Sequence, residues 1–172
     1  MKFDDIMVHA TFSSPLGTVL IAATDKGLAG LWFEGQRHLP AELTGSRVWP
    51  KDPTHPLLEQ TAAQISEYFA GHRLRFDLAL DLERGTVFQR SVWQALQAIP
   101  PGKTVSYGEI SAKMGKPAAV RAVGAAIGRN PISIIVPCHR VVGAGRALTG
   151  YAGGLERKKA LLELEGALLE NP

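Results

Sequence analysis

The segment Pro137-Cys138-His139-Arg140 holds the residues of this chain best suited to nucleophilic chemistry. Cys138 is the single cysteine, so neither an intramolecular disulfide nor a thiolate-rich zinc site can be built from these 172 residues. A thiol attacks only as its thiolate, and a nearby histidine or positive charge raises the thiolate fraction. A single cysteine also serves often as a small buried apolar side chain. The local residues therefore leave two interpretations open, a nucleophile and a core filler.

The order of Cys138 and His139 limits what kind of nucleophile this is. Adjacent residues of a strand point to opposite faces, so a direct hydrogen bond between the two side chains requires a kinked backbone. Contact through a water is easier. This geometry argues against a Cys–His hydrolase, which is the main enzymatic alternative.

Positive charge is concentrated in the second half of the chain. Residues 1–85 hold 8 Lys/Arg against 11 Asp/Glu, whereas residues 86–172 hold 11 against 5. No acidic residue lies between Glu109 and Glu156. The basic residues of that stretch are Lys113, Lys116, Arg121, Arg129, Arg140 and Arg146. A stretch of one sign favours a polyanionic partner, although a solvated basic surface gives the same pattern.

Length and composition place the chain among ordinary globular proteins. Its 172 residues suit one large domain or two small ones. No apolar run is long enough to span a bilayer, and the stretch from Met1 to Ala10 lacks the pattern of a signal peptide. We expect a cytoplasmic protein that needs no metal and no cofactor.

The first half predicts a small sheet with a helix. Three short apolar segments separated by turn residues predict an antiparallel meander: Met7–Ser13, Val19–Thr24 and Leu28–Phe33. Residues 37–55 are predicted to form a loop. Apolar residues at helical spacing predict a helix over Leu57–Phe69 that stops at Gly71, and alternation over Arg73–Leu82 predicts a further strand. This half shows no catalytic constellation.

The second half opens with two helix starts. Thr86 and Gln89 form a capping-box pattern ahead of an apolar stripe, and Ser106 with Glu109 repeats that pattern before a short helix to about Lys113. Pro117 suits the first position of the next helix, predicted over Ala118–Ile127 and closed by Gly128. Two short helices around a tight turn predict a helix-turn-helix.

The second helix of this motif carries almost no large side chains. Its small residues are Ala118, Ala119, Ala122, Gly124, Ala125 and Ala126. Such a helix can approach another surface closely, although close packing inside a core gives the same composition. Arg121 favours an exposed face, because burying an unpaired arginine is costly.

The last part of the chain completes the predicted fold. Residues 132–136 are predicted to form a buried strand leading into the Cys138 segment, and a helix is predicted from Leu155 to about Gly166. The fold class is therefore α/β. We expect a small N-terminal domain (1–85) with an antiparallel sheet. A mostly helical C-terminal domain (86–172) should follow, with a helix-turn-helix and a short strand at the active site.

Several spaced motifs of the second half resemble one known family. In chain order they are Arg121-Ala122-Val123-Gly124, Asn130-Pro131, Pro137-Cys138-His139-Arg140, Gly150-Tyr151, Gly153-Gly154-Leu155, Lys158 and Glu165. Their order and spacing resemble the O6-alkylguanine-DNA alkyltransferases. The match covers most of Thr86 to Glu165 and is weak in the first half.

The resemblance implies roles for the residues around Cys138. Cys138 would accept the alkyl group, and His139 would act through a water as its base. Glu165 would orient His139, and Asn130 would hold the turn ahead of the active-site segment. Tyr107 would donate a proton or a hydrogen bond to the departing guanine.

The resemblance also implies how DNA is bound. The helix-turn-helix would place its second helix in the minor groove of double-stranded DNA containing an alkylated guanine, with the damaged nucleotide flipped out. The small residues Ala119, Ala122, Gly124 and Ala125 would face the groove, and Arg121 would fill the gap in the base stack. The base pocket would be lined by Val136, Tyr151, Ala152 and Lys158. We expect a monomer that acts once, with O4-alkylthymine as a second candidate substrate.

One departure from the family pattern bears on the pocket. Some relatives carry a serine after the pocket tyrosine where this chain has Ala152, so backbone amides would have to bind the alkylated oxygen. A non-enzymatic DNA-binding protein of the same fold is the alternative. Non-catalytic relatives lack the cysteine, which is present here.

Overall fold

The N-terminal part is built on a three-stranded antiparallel sheet. The computed structural model of the protein describes residues 7–45 and 48–167. The outermost residues of both predicted domains, 1–6 and 168–172, lie outside these ranges, as do Ser46 and Arg47 of the predicted loop. Strands β1 (Val8–Ser14), β2 (Gly17–Ala23) and β3 (Leu28–Phe33) pair in the order β1-β2-β3. This confirms the predicted meander.

Helix α1 (Pro56–Phe69) covers this sheet. It packs against β1 and β2 and buries an apolar stripe that includes Leu58 and Ile65. The chain then leaves the helix through Gly71 in a left-handed conformation (φ +79°), as predicted. A 3-10 turn, Ala41–Leu43, lies within the predicted loop.

The prediction of a strand over Arg73–Leu82 is wrong. This segment meets β3 through one isolated bridge between Leu28 and Leu80. Further along, the Gln64 side chain of α1 accepts a hydrogen bond from the Asp77 backbone N–H and donates one to its carbonyl. The Gln64 side chain therefore binds the backbone N–H and carbonyl of Asp77, which a neighbouring strand would otherwise bind. The alternation of apolar and polar residues in this segment does not reflect strand pairing.

The described C-terminal part contains four α-helices. They are α2 (Val87–Gln97), α3 (Tyr107–Lys113), α4 (Val120–Gly128) and α5 (Leu155–Leu164). The capping box at the start of α2 is complete, with both reciprocal bonds between Thr86 and Gln89 at 3.0–3.1 Å. At α3 one half of the predicted box forms, because Ser106 accepts from the Glu109 backbone N–H.

Helix α4 begins later than predicted. Pro117 is not in its first turn, because Ala119 donates its N–H to the Lys116 carbonyl and closes a separate turn there. Gly128 ends the helix, as predicted. Helices α3 and α4 pack against each other and against α2, which confirms a pair of short helices joined by a tight turn.

The predicted strand at 132–136 is also wrong. Ile134 adopts a left-handed conformation (φ +72°), and the bond from the Val136 N–H to the Ile132 carbonyl closes a tight turn. A 3-10 turn over Cys138–Arg140 follows. Only then does the chain extend, where β5 (Val141–Val142) pairs in parallel with β4 (Val105–Ser106). The β-branched run reflects burial, not strand pairing.

One hydrophobic cluster joins the two parts. It includes Ile21 and Leu31 of the sheet and Val92, Val136 and Leu161 of the C-terminal part. The link is also made by backbone, since Leu31 of β3 bonds to Pro131 and Ser133. None of the described helices combines the length and apolar character needed to cross a membrane.

Candidate active site

Cys138 belongs to the buried hydrophobic cluster and also lines a pocket. The residue is 6% exposed and begins the 3-10 turn that follows residues 132–136. The pocket has a volume of about 130 Å³. It is lined by Arg37, His38, Tyr107, Gly124, Ile127, Gly128, Cys138, Gly150, Tyr151 and Ala152. A thiol open to a pocket between two parts of the molecule fits a nucleophile better than a core filler.

His139 and Arg140 meet at the carboxylate of Glu165. The Nε2 atom of His139 lies 2.8 Å from Glu165 Oε2. Arg140 donates from Nε to Oε1 at 2.8 Å and from Nη2 to Oε2 at 3.0 Å, and its Nη1 donates to the Ile99 carbonyl. The side chains of His139 and Glu165 are fully buried. Glu165 follows α5 directly, so the end of that helix positions the carboxylate.

The charge state of this cluster follows from its contacts. Burial alone would raise the pKa of Glu165, but the hydrogen bonds from His139 and Arg140, together with the positive charge of Arg140, lower it to about 2. Burial lowers the pKa of His139 despite the opposing effect of Glu165. Near neutral pH the imidazole is therefore neutral and donates its Nε2 proton to the carboxylate. Nδ1 is buried without a partner in the described part of the chain, and it is free to accept a proton.

Asn130 holds the turn that presents Cys138. Its Oδ1 accepts from the Ile132 N–H at 3.0 Å, and its Nδ2 donates to the Val136 carbonyl at 2.7 Å. These bonds close the loop between α4 and the cysteine. Burial raises the pKa of the Cys138 thiol, while a hydrogen bond from Asn130 and the charge of Lys158 lower it.

Two residues expected to line the pocket do not line it. Val136 is fully buried, and its carbonyl is used by Asn130 and by the Cys138 N–H. Lys158 is also fully buried, and its Nζ donates to the carbonyls of Val141, Thr149 and Gly150. Lys158 therefore lies behind the pocket wall and fixes it. Burial lowers the pKa of Lys158 to about 8, and the thiolate of Cys138 opposes this shift.

The wall itself is formed by the segment that Lys158 holds. The Tyr107 hydroxyl donates toward the carbonyls of Thr149 and Gly150, at 3.2 and 3.4 Å. The Tyr151 ring packs on Gly153, where a Cβ atom would lie 2.6 Å from ring atom Cε2. Tyr107, Tyr151 and Ala152 all line the pocket. Glycine at 153 is thus required by close contact with the ring.

Helix α4 presents its small residues beside the pocket. Arg121, Ala122 and Ala125 are exposed, Ala119 and Gly124 are half-buried, and Gly124 lines the pocket. The exposed face of the helix and the mouth of the thiol pocket are therefore neighbours. One member of the basic stretch does not belong to this surface, because Arg140 is buried against Glu165.

The N-terminal part contributes residues that sequence reasoning missed. Arg37 and His38 line the pocket, and the Arg37 N–H donates to the Ala152 carbonyl at 3.0 Å. Both lie in the segment that the sequence predicted to be a loop without a catalytic constellation. No motif marks them, since their position depends on contact between the two halves.

Known proteins resemble this chain over nearly its whole length. Residues 7–82 match the family model of the 6-O-methylguanine DNA methyltransferase ribonuclease-like domain, and residues 87–167 match that of the DNA binding domain. A methylated-DNA--protein-cysteine methyltransferase of Mycolicibacterium paratuberculosis is 49% identical over 91% of both chains. One of Methanosarcina acetivorans is 47% identical over 94% of this chain and 99% of that protein.

A solved structure agrees with these matches. The crystal structure of Mycobacterium tuberculosis OGT in complex with DNA is 48% identical, covers 92% of each chain and superposes with a TM-score of 0.83. The matching models cover both halves of the chain, and the identities extend over both. This chain belongs to the 6-O-methylguanine DNA methyltransferase family.

Proposed function

We propose that this protein repairs DNA by transferring an alkyl group from O6 of guanine to its own Cys138. One observation carries the proposal: the single thiol opens into a pocket beside the exposed small-residue face of α4, with the His139–Glu165 pair behind it. The names of its relatives agree with this activity. A DNA-binding protein without chemistry would have no use for the buried base and carboxylate beside a thiol.

The transfer is a single displacement at the alkyl carbon. The thiol proton passes through a water to Nδ1 of His139, and Sγ attacks the alkyl carbon. The S–C bond forms as the C–O6 bond breaks. The guanine then leaves after accepting a proton or a hydrogen bond from the Tyr107 hydroxyl, which lines the same pocket. The product is a thioether, which is a poor leaving group, so each molecule acts once.

Lys158 assists the thiol by its charge. It is a buried ammonium that donates to three carbonyls, and within residues 7–45 and 48–167 no carboxylate pairs with it. Its positive charge therefore acts on Cys138 without being neutralised nearby, and it favours the thiolate. The same three bonds keep the pocket wall in place.

The DNA is bound through α4. The exposed alanines lie in the minor groove, and Arg121 occupies the place of the flipped nucleotide. Recognition depends on groove shape and phosphate charge, so undamaged sequence matters little. With Ala152 in place of a serine, backbone amides of the pocket wall bind the alkylated oxygen.

The two halves of the chain have different parts in this proposed function. Residues 86–172 bind DNA and carry out the transfer, and residues 1–85 support them. The protein acts as a cytoplasmic monomer on double-stranded DNA that contains an alkylated guanine.

Replacing Cys138 by alanine should abolish transfer and leave binding to duplex DNA intact, because α4 is unchanged. Intact mass spectrometry after incubation with a methylated oligonucleotide gives the result directly. Wild type should gain one methyl group per molecule and then stop, even with excess DNA. A mass gain in Cys138→Ala, or repeated turnover by wild type, would contradict the proposal. DNA binding without any gain in wild type would favour a non-enzymatic protein.

Replacing Arg121 by alanine should slow repair of duplex DNA about tenfold or more while leaving reaction with a free alkylguanine base unchanged. Arg121 is exposed on α4 and acts on the flipped duplex, not on the thiol. Arg75→Ala removes an exposed charge of the first half and is the matched control. Equal losses on both substrates would rule out this role.

Replacing Lys158 by methionine should raise the pKa of Cys138 by about one unit. Because a rise of one pKa unit lowers the fraction of thiolate about tenfold, transfer at neutral pH should slow by the same factor. Because the chain has one cysteine, a titration of thiolate absorbance reports on Cys138 alone. The neighbouring Lys159, whose side chain is 60% exposed, gives the control Lys159→Met. An unchanged thiol pKa in Lys158→Met would show that Lys158 serves only to hold the pocket wall.

A further inference from the structure

Glu165 has a fourth contact, and it comes from the first half of the chain. The hydroxyl of Tyr68, on α1, donates to Glu165 Oε2 at 2.7 Å. This is the oxygen that His139 Nε2 meets at 2.8 Å. Tyr68 is fully buried and lies 97 residues from Glu165 in sequence.

We propose that Tyr68 is a positioning residue for alkyl transfer, whose hydroxyl fixes the Glu165 carboxylate and thereby sets the orientation and basicity of His139. The inference rests on the proposed function, because it assigns Tyr68 a part in the same chemistry. It also gives the N-terminal part a role beyond support.

The contact is placed where it affects the base directly. Oε1 of Glu165 is bound by Arg140 Nε, whereas Oε2 accepts from Tyr68, from His139 and, at 3.0 Å, from Arg140 Nη2. Tyr68 and His139 therefore share one oxygen. A stronger or weaker bond from Tyr68 changes the negative charge that this oxygen presents to the imidazole.

Tyr68 is rigidly held by its own surroundings. Its ring packs edge-on against Phe69 at a centroid distance of 5.4 Å, and a tilted contact joins it to Phe76 at 5.5 Å. Helix α1 is in turn packed on β1 and β2. The sheet and α1 thus determine where the hydroxyl lies. Burial and the charge of Glu165 raise the pKa of Tyr68, so it remains a protonated donor across the neutral range.

Tyr68 changes the pKa of His139 through the charge of Glu165. The ionisable groups that act on its imidazole are Glu165, Arg140 and Lys158, with Cys138 beside it in the turn. Among Glu165, Arg140 and Lys158, Glu165 alone favours the protonated imidazole. Tyr68 reduces the charge that the carboxylate offers, so it lowers the pKa of His139. Without the hydroxyl the imidazole holds a proton more tightly, and fewer molecules carry the neutral base at a given pH.

The test compares Tyr68→Phe with Thr61→Val. Thr61 is a fully buried residue of the same helix, and its hydroxyl donates to the Leu57 carbonyl within α1. Both variants lose one buried hydroxyl and keep their volume. The readouts are the transfer rate on a methylated oligonucleotide as a function of pH, and a ¹⁵N NMR titration of the His139 imidazole.

Tyr68→Phe should move the acid limb of the rate profile and the His139 titration upward together, by about half a unit to one unit. Its transfer rate on that limb should fall about three- to tenfold, the same factor expressed as a rate. Thr61→Val should leave both profiles as in wild type. DNA affinity should be unchanged in both variants.

A second variant keeps the fold and reverses the sign. Site-specific replacement of Tyr68 by 3,5-difluorotyrosine retains the hydroxyl and makes it a stronger donor, so both profiles should move to lower pH. The proposal is overturned if Tyr68→Phe leaves the His139 titration unchanged, if Thr61→Val shifts it equally, or if the fluorinated protein shifts it upward. If wild type transfers no alkyl group, the proposed function fails, and the NMR titration still decides whether Tyr68 controls His139.

Discussion

A buried carboxylate organises this molecule. The side chain of Glu165 is removed from water, and an uncompensated charge in such a place costs several kcal/mol. Compensation comes from Tyr68, His139 and Arg140, which the fold must bring to one point from α1 and from the turn after residues 132–136. Because Arg140 also binds the Ile99 carbonyl after α2, the requirement extends through much of the molecule. Satisfying one charge thus fixes the imidazole beside the thiol.

Burial and nearby positive charge have opposite effects on the pKa of the Cys138 thiol. Burial favours the neutral thiol, while Asn130 and Lys158 favour the thiolate. Cys138 is 6% exposed, so its thiol is shielded from bulk solvent and faces the pocket that it lines. The pocket wall is held by a hydrogen bond from Lys158 to the Thr149 carbonyl and by one from the Arg37 backbone N–H to the Ala152 carbonyl. Reactivity and selectivity therefore depend on the same few contacts.

Local patterns predicted the elements whose stability is local. The Thr86–Gln89 box and the three-strand meander are examples, since their bonds lie between near neighbours in sequence. Alternation over Arg73–Leu82 and the β-branched residues 132–136 predicted burial correctly and pairing wrongly, because periodicity does not say which groups satisfy the backbone. Tyr68 and Arg37 carry no local signal. Their contacts join residues about a hundred positions apart, and only the packing of both halves creates them.

We propose that Glu165 holds His139 as a neutral base with its free nitrogen, Nδ1, available to the thiol. The ¹⁵N spectrum of the His139 imidazole in wild-type protein at neutral pH tests it most directly, since each ring nitrogen reports its own protonation. We predict a proton on Nε2, none on Nδ1 and no second proton until the solution is made acidic. A proton on Nδ1 at neutral pH would mean that His139 is the other neutral tautomer or the imidazolium. Either result would contradict the role of His139 as a base toward the thiol.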